Sequence, residues 1–517
     1  MSNMLQLTLP LSHYVDLLRG EGLLRQSCVP AQDDRTIEWV TDDSRDVRSG
    51  TLFVCKGRAF KRDYLVQALE AGAVAYVSEI DYGISVERAP LLLVNDIRSA
   101  LGVLADSAYG HPSARVKTCA FTGTKGKTTS VYYLRSILAE HARKAGRHAP
   151  AYLTGVEFDD GVERGESLLT TPESFVLQRR LAHAVQAGCE HLVMEASSQA
   201  MKFRRTLGVE FEVGAFTNFG EDHISPIEHP TLEDYFASKL ILFDNCKNAV
   251  VNKEMSVAEE VLAAAHGSDH IERVLTYALD DASANVHVEC WERRGMTIGA
   301  RVRMPRGVVD VTVPSPAKFN LVNALGALAC AEALGIDAAC MTKGLAAARV
   351  PGRMELYPSS SGDIVGVVDY AHNGMSLETL LLDLRASYPD REFAVVFGAT
   401  GGKGVDRRET MGIAAGKLAD RIVITEDDPG PEDPAVICQA IARAVRAQSN
   451  DNWKIVLDRS EAIRTAIRET ERPAVVIVTG KGNDPFMLRN GIREPYEPDG
   501  DQVVRELERW EQERHVK

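Results

Sequence analysis

Short apolar runs recur along this chain, separated by longer stretches whose apolar positions fall three and four residues apart. The first pattern suits buried strands and the second amphipathic helices. In the first 114 residues, runs at 38–41, 52–54, 73–77 and 91–94 predict the strands of a small α/β unit. A run at 116–121 passes through a glycine-bearing turn into 128–140, where Val131, Leu134, Ile137 and Leu138 recur at helical spacing. Strands at 191–195 and 213–218 and helices at 175–187 and 232–243 continue the alternation. Residues 284–314 alternate in β fashion through Val286, Val288, Cys290, Val302 and Met304, and an alanine-rich helix runs from 318 to about 334. Farther on, strands at 365–369, 393–398, 421–425 and 474–479 alternate with helices at 376–387, 410–419, 434–447 and 460–469. That order predicts a doubly wound, mostly parallel sheet. The charged tail from 502 to 517 reads as a terminal helix with a solvated face.

The pattern divides an α/β chain into three domains: 1–114, 115–350 and 351–517, with Arg349-Val-Pro-Gly-Arg-Met-Glu355 as a hinge-like boundary. A length of 517 residues agrees with several domains. Hydrophobic residues at 45% and charged residues at 26% are ordinary for a globular protein. The net charge of −14 argues against general nucleic-acid binding, because phosphate backbones would be repelled, and leaves room for a small anionic substrate. No long apolar run suggests a membrane span, and Met1-Ser-Asn-Met-Leu lacks the basic flank of a signal peptide. The nine cysteines are scattered singly, as expected of reduced thiols in a cytoplasmic protein.

Candidate chemistry centres on Phe121-Thr-Gly-Thr-Lys-Gly-Lys-Thr-Thr-Ser130. Gly123 and Gly126 let the backbone approach an anion, and the following helix start points free N–H groups at it. Lys127 supplies a cation for the outer phosphates, and the Thr128 hydroxyl is placed for Mg²⁺. The general Gly-x-x-x-x-Gly-Lys-[Ser/Thr] spacing fails, since position 121 is Phe; a shorter Gly-Thr-x-Gly-Lys-Thr stands here. Other polar groups follow strand ends, where α/β proteins bind ligands: Glu195, placed as a Mg²⁺ partner, and His223. Thr170-Thr-Pro-Glu-Ser174 is a hydroxyl-rich turn, and Lys239 lies among apolar neighbours. In the last domain, polar clusters at 369–372, 398–408, 426–430 and 480–484 all follow strands and predict a site on one sheet edge.

Together these motifs resemble the Mur ligases of bacterial cell-wall synthesis, most closely those adding the third peptide residue. The matching stretches are Gly123-Thr-Lys-Gly-Lys-Thr-Thr129, Met194-Glu-Ala-Ser-Ser198, Thr217-Asn218 with Asp222-His223, Pro351-Gly-Arg-Met-Glu355 and Asp369-Tyr-Ala-His372. The resemblance implies a UDP-substrate domain, a central P-loop-type ATPase domain and a C-terminal Rossmann-like domain for the amino acid. It assigns ATP to Gly123, Thr124, Lys125, Gly126, Lys127, Thr128 and Thr129, with Asn320, Asn323, Arg353, Asp369 and His372. Mg²⁺ would be held by Thr128, Glu195, His223 and Lys239, the last as a carbamate. Catalysis would rest on Lys127, Glu195, His223 and Lys239. UDP-N-acetylmuramoyl-dipeptide would meet Ser44, Thr170, Thr171, Ser197 and Arg205, although Gln199 stands where the family has His.

The implied reaction is ATP-driven amide formation through an acyl phosphate, by a cytoplasmic monomer without nucleic-acid or membrane partners. For the incoming amino acid, the resemblance points to Arg408, Asp427, Asp428, Gly430, Gly480 and Asp484. Members that take meso-diaminopimelate carry Asp-Asn-Pro-Arg, the Arg meeting the second carboxylate. Asp427-Asp-Pro-Gly430 has no such cation, and its acids, with Glu426 and Asp484, suit an ammonium. L-lysine is therefore expected, with ornithine or diaminopimelate as alternatives. Asp43-Ser-Arg45 and Thr170-Thr-Pro172 favour the muramoyl substrate over that of a folylpolyglutamate-type ligase.

Overall fold

A computed structural model describes residues 5–30, 33–57, 60–221, 224, 228–402 and 404–515. The chain forms two compact units: one of residues up to 290 with 301–311 and 322–347, the other of 291–300, 312–321 and 348 onward.

The first unit holds two mainly parallel sheets. One runs Leu24–Cys28, Leu91–Val94, Ala73–Ser78, Thr51–Val54, Trp39–Thr41, with Leu24–Cys28 antiparallel to its neighbour. In the other, Lys117–Thr122 is paired in parallel with His191–Glu195 on one side and Phe211–Phe216 on the other. Helices cover both faces of such a sheet, so these strands are continuous apolar runs. The register sets Glu195 beside Phe121 and Phe216 beside Thr122, so the carboxyl ends of the three strands share one edge. The expected β stretch resolves into Val286–Arg294, Thr297–Met304 and Gly307–Val313, followed by the helix Lys318–Ala333.

In the second unit the sheet order is Glu355–Pro358, Ile364–Asp369, Ala474–Thr479, Glu392–Phe397, Arg421–Ile424, Trp453–Ile455, parallel except for the first strand. Leu377, Leu381, Met411, Ala415 and Ile441 pack one face through helices Gly374–Ser387, Asp406–Leu418 and Pro434–Arg446. Ile463 and Ile467 of Arg459–Arg468 pack the other. This is the doubly wound arrangement expected, and it brings residues 369–372, 398, 426–430 and 480–484 to one edge.

The terminal helix corrects an expectation. Asp499–His515 is not simply a solvated face: Val503, Leu507 and Trp510 lie four and three residues apart and are buried in the core with Ile364 and Val368. The charged residues between them mask this stripe in the composition.

Candidate functional site

The helix Lys127–Lys144 begins where the central strand Lys117–Thr122 ends, and the turn between them depends on two glycines. Gly123 has φ +145° and Gly126 φ +80°. A Cβ on Gly126 would lie 2.2 Å from Asn323 Oδ1, and one on Gly123 would lie 2.1 Å from Thr217 Oγ1. Neither position admits a side chain. The loop is clamped from the adjoining strand end: Lys125 N–H donates to Asn218 Oδ1 at 2.7 Å, and Asn218 Nδ2 donates to the Lys125 carbonyl at 2.9 Å. Thr217 Oγ1 donates to the same carbonyl at 2.9 Å. The side chains of Thr217 and Asn218 thus hold a loop more than ninety residues away in sequence.

Glu195 is 3% exposed, so it does not face water as an isolated strand-end acid would. Its Oε1 accepts from Thr128 Oγ1 and from Gly155 N–H, each at 2.9 Å. A hydroxyl and a carboxylate side by side at the head of a phosphate-binding helix form the hard-oxygen donor set that suits Mg²⁺. His223 lies outside the described residues. Lys239, on the helix Leu232–Leu240, is 1% exposed and not a snorkelling surface lysine. Its Nζ donates to the Gly123 carbonyl at 2.9 Å and lies 4.3 Å from the centre of the Tyr235 ring. Lys127 Nζ donates to that same carbonyl at 2.8 Å, and to the Thr124 carbonyl at 3.3 Å. Two ammonium groups therefore converge on one loop oxygen.

The hydroxyl-rich turn meets the Glu195 strand end. Thr171 Oγ1 donates to the Glu195 carbonyl at 2.9 Å and accepts from Ser197 N–H at 3.0 Å. Arg205 pairs with Glu173 at 2.8 Å, and Lys56 reaches Glu173 at 2.6 Å and Asp42 at 2.8 Å. Thr170, Thr171, Ser197 and Arg205 are thus gathered around one strand end, with Lys56 as a cation the sequence reading missed. Ser44 opens a 3₁₀ turn, Ser44–Asp46, capped by the Asp43 side chain. Asn320 and Asn323 stand one helical turn apart on Lys318–Ala333; the Asn320 side chain bonds Ser315 Oγ, and the Asn323 carbonyl accepts from Ser130 Oγ at 3.4 Å.

In the second unit, Asp369 accepts from Met354 N–H at 2.9 Å and Ala371 N–H at 2.7 Å. His372 Nδ1 bonds the Tyr370 carbonyl at 2.7 Å, and the Arg353 guanidinium lies 4.7 Å from the Tyr370 ring centre. Arg408 Nη2 reaches both oxygens of Glu432 at 2.8 Å, while its buried Nε has no hydrogen-bond partner among the described residues.

The acids expected to face an incoming ammonium already have internal cations. Asp428 Oδ1 accepts from buried Lys481 at 2.9 Å, and Asp484 accepts from the same ammonium at 3.3 Å. Glu426 pairs with Arg489. Asp427 is fully enclosed: burial pushes its carboxyl up to about 6, Arg459 and Lys481 oppose that rise, and Asp428 and Asp499 add to it. Gly480 packs so closely that a Cβ there would lie 2.1 Å from Asp427 Oδ2. Gly430 adopts φ +59°; its N–H donates to the Leu488 carbonyl of the hairpin strand Phe486–Arg489, and its carbonyl accepts from Asn490 N–H in the turn that follows. The helix that follows is capped by Asp433 rather than by these acids. Nothing in the sequence marked Lys481 as the partner of Asp428 or Arg489 as that of Glu426, because those pairs span 53 and 63 residues; only Lys481 and Asp484, three apart, are neighbours in sequence.

A clamped glycine loop, a helix start and a buried hydroxyl–carboxylate pair define a phosphate-loop α/β protein. Residues 121–331 match the Mur ligase middle domain, and residues 352–482 match the Mur ligase, glutamate ligase domain. The chain is 39% identical over 472 residues to the UDP-N-acetylmuramoyl-L-alanyl-D-glutamate--L-lysine ligase of Streptococcus thermophilus, covering 90% of this chain and 92% of that protein. This chain belongs to the Mur ligase family. Its fold is similar to a solved UDP-N-acetylmuramoyl-L-alanyl-D-glutamate--2,6-diaminopimelate ligase, with a TM-score of 0.68 at 24% identity over 94% of this chain and 97% of that one. A folylpolyglutamate synthase of Mycobacterium tuberculosis, complexed with ADP and AMPPCP, gives a TM-score of 0.59 at 19% identity, over 74% of this chain and 91% of that one.

Proposed function

We propose that this protein joins L-lysine to UDP-N-acetylmuramoyl-L-alanyl-D-glutamate at the expense of ATP. The observation that carries the choice of lysine is Gly430, which has no side chain where diaminopimelate-using members place an arginine. Without that guanidinium, a second carboxylate on the amino acid has no bidentate partner at this position. The likeness to a lysine ligase over 90% of this chain points the same way. The fold match to the folylpolyglutamate synthase leaves out about a quarter of this chain, which disfavours that alternative.

In this reading, the Gly123–Thr129 loop, clamped by Asn218, binds the ATP phosphates through the N–H groups at the start of the helix Lys127–Lys144 and the Lys127 ammonium. An oxygen of the substrate carboxylate attacks the γ-phosphorus, and ADP leaves. The amine of lysine then attacks the acyl carbon, and phosphate leaves with the electrons of the broken C–O bond. Lys127 offsets the negative charge on the transferring group, so positioning and electrostatics supply most of the rate. Mg²⁺, held by Thr128, Glu195, His223 and a carbamate on Lys239, would supply further charge neutralisation at the phosphates. The burial of Lys239 and its 2.9 Å contact with the Gly123 carbonyl support the carbamate, because they set that nitrogen beside the phosphate loop. Thr170, Thr171, Ser197, Arg205 and Ser44 orient the muramoyl peptide, and Arg408 takes the lysine α-carboxylate. The same reading makes the protein a cytoplasmic monomer; no helix among the described residues is long and apolar enough to cross a membrane.

The test is phosphate release by purified protein given ATP and the UDP-muramoyl dipeptide with L-lysine, L-ornithine or meso-diaminopimelate. Lysine-dependent release is expected. Release with diaminopimelate but not lysine would overturn the assignment.

A further inference from the structure

Ser198 and His229, both buried, and the half-buried Asp234 form a chain of hydrogen bonds that the reaction above does not use. Ser198 Oγ lies 3.0 Å from His229 Nε2, and His229 Nδ1 lies 2.6 Å from Asp234 Oδ2. The imidazole is completely buried, and burial holds it below its ordinary pKa, so it is neutral at neutral pH. With Nδ1 facing a carboxylate, Nδ1 carries the proton and Nε2 accepts from the Ser198 hydroxyl. Asp234 is also gripped by Lys202 Nζ at 2.6 Å.

The two ends of this chain belong to different parts of the site. Ser198 opens the short helix Ser198–Lys202, capped by Ser197, whose hydroxyl lies 3.3 Å from Thr171 Oγ1. Asp234 belongs to the helix Leu232–Leu240, which carries Tyr235 and Lys239. Tyr235 sets its ring 5.0 Å from that of His229, tilted by 56°, and donates its hydroxyl to Thr124 Oγ1 at 3.3 Å, while Lys239 reaches Gly123. One imidazole therefore stands between the turn assigned to the muramoyl peptide and the helix that touches the phosphate loop.

We propose that His229 is a positioning residue that locks the Ser197–Ser198 turn to the Lys239 helix, holding the substrate carboxylate and the phosphate loop in one register. It rests on the ligase reading above. Small misplacements of reacting groups cost large factors in rate. His229→Ala should lower kcat with the muramoyl dipeptide by about 30-fold while the KM for ATP stays within about twofold, because the loop glycines and Lys127 are untouched. His229→Gln, which offers a donor and an acceptor on one amide, should recover most of that loss. Ser198→Ala added to His229→Ala should cost less than about twofold more, since the chain is already broken.

The measurement is steady-state kinetics on the full-length protein with whichever amino acid the wild type uses, alongside thermal unfolding. Failure of the wild type to use lysine would sink the function and leave this inference measurable. Wild-type kcat in His229→Ala, or fully additive losses from the two substitutions, would overturn the inference, as would a lowered Tm with unchanged kinetics. If His229→Ala does not fold, Ser198→Ala and the near-isosteric Asp234→Asn carry the test, and both are expected to reproduce the kcat loss.

Discussion

The phosphate loop and the acidic edge of the second unit handle charge in opposite ways. In the loop, Lys127 and Lys239 rest on backbone carbonyls of residues 123 and 124, which are neutral acceptors. At the acidic edge, Asp428 and Asp484 share Lys481, Glu426 holds Arg489, and the charges of Arg459 and Lys481 favour the Asp427 carboxylate. Anions can displace a carbonyl from an ammonium at little cost, whereas breaking a buried ion pair leaves an uncompensated charge. With two lysines on a glycine turn at a helix start, the first region is suited to gripping a highly charged ligand. The second is suited to holding a precise shape, with its acids mostly neutralised before any amino acid arrives.

Lys127→Ala tests the first half of that contrast most severely. It should lower kcat/KM by about a thousandfold with little change in stability, measured by phosphate release and thermal unfolding. Lys239→Ala should lose about a hundredfold, partly restored by added short-chain carboxylic acids; full activity in the variant would remove the carbamate.

For the acidic edge the expected changes are in stability. Lys481→Met should destabilise the protein by about 2 kcal/mol in urea unfolding, a value discounted because Asp428 and Asp484 remain partly exposed. An unchanged midpoint would mean the acids do not depend on their internal cation. Asp427→Asn sharpens the point through pH. A carboxyl raised from 3.8 to about 6 contributes stability that is fully present below pH 3.8 and lost as pH rises through 6. The loss is at most about 3 kcal/mol, and the variant should gain on the wild type across that window, in urea midpoints taken from pH 4 to 7.

Much of this was legible because the relevant residues are neighbours in sequence. The strand–turn–helix around Gly123 and Gly126 is written in one stretch, and parallel βα repeats place every strand's carboxyl end on a common edge. Thus Glu195 and Thr128 could be matched before their 2.9 Å contact was seen. The terminal helix was misjudged because its buried stripe, Val503, Leu507 and Trp510, is diluted by charged residues. His229 offered no signal, since its partners lie 31 residues before it and five after it and belong to no recognisable spacing.

The amino-acid sequence by itself determined the alternation of elements, the phosphate loop and the absence of an arginine at Gly430, all properties of local pattern and residue identity. The tertiary structure decided which cation meets which acid. Arg489 reaches Glu426 across 63 residues, Lys481 reaches Asp428 across 53 and Arg459 reaches Asp499 across 40. Coulomb attraction acts on distance in space, and only the folded sheet edge brings those charges within a few ångströms.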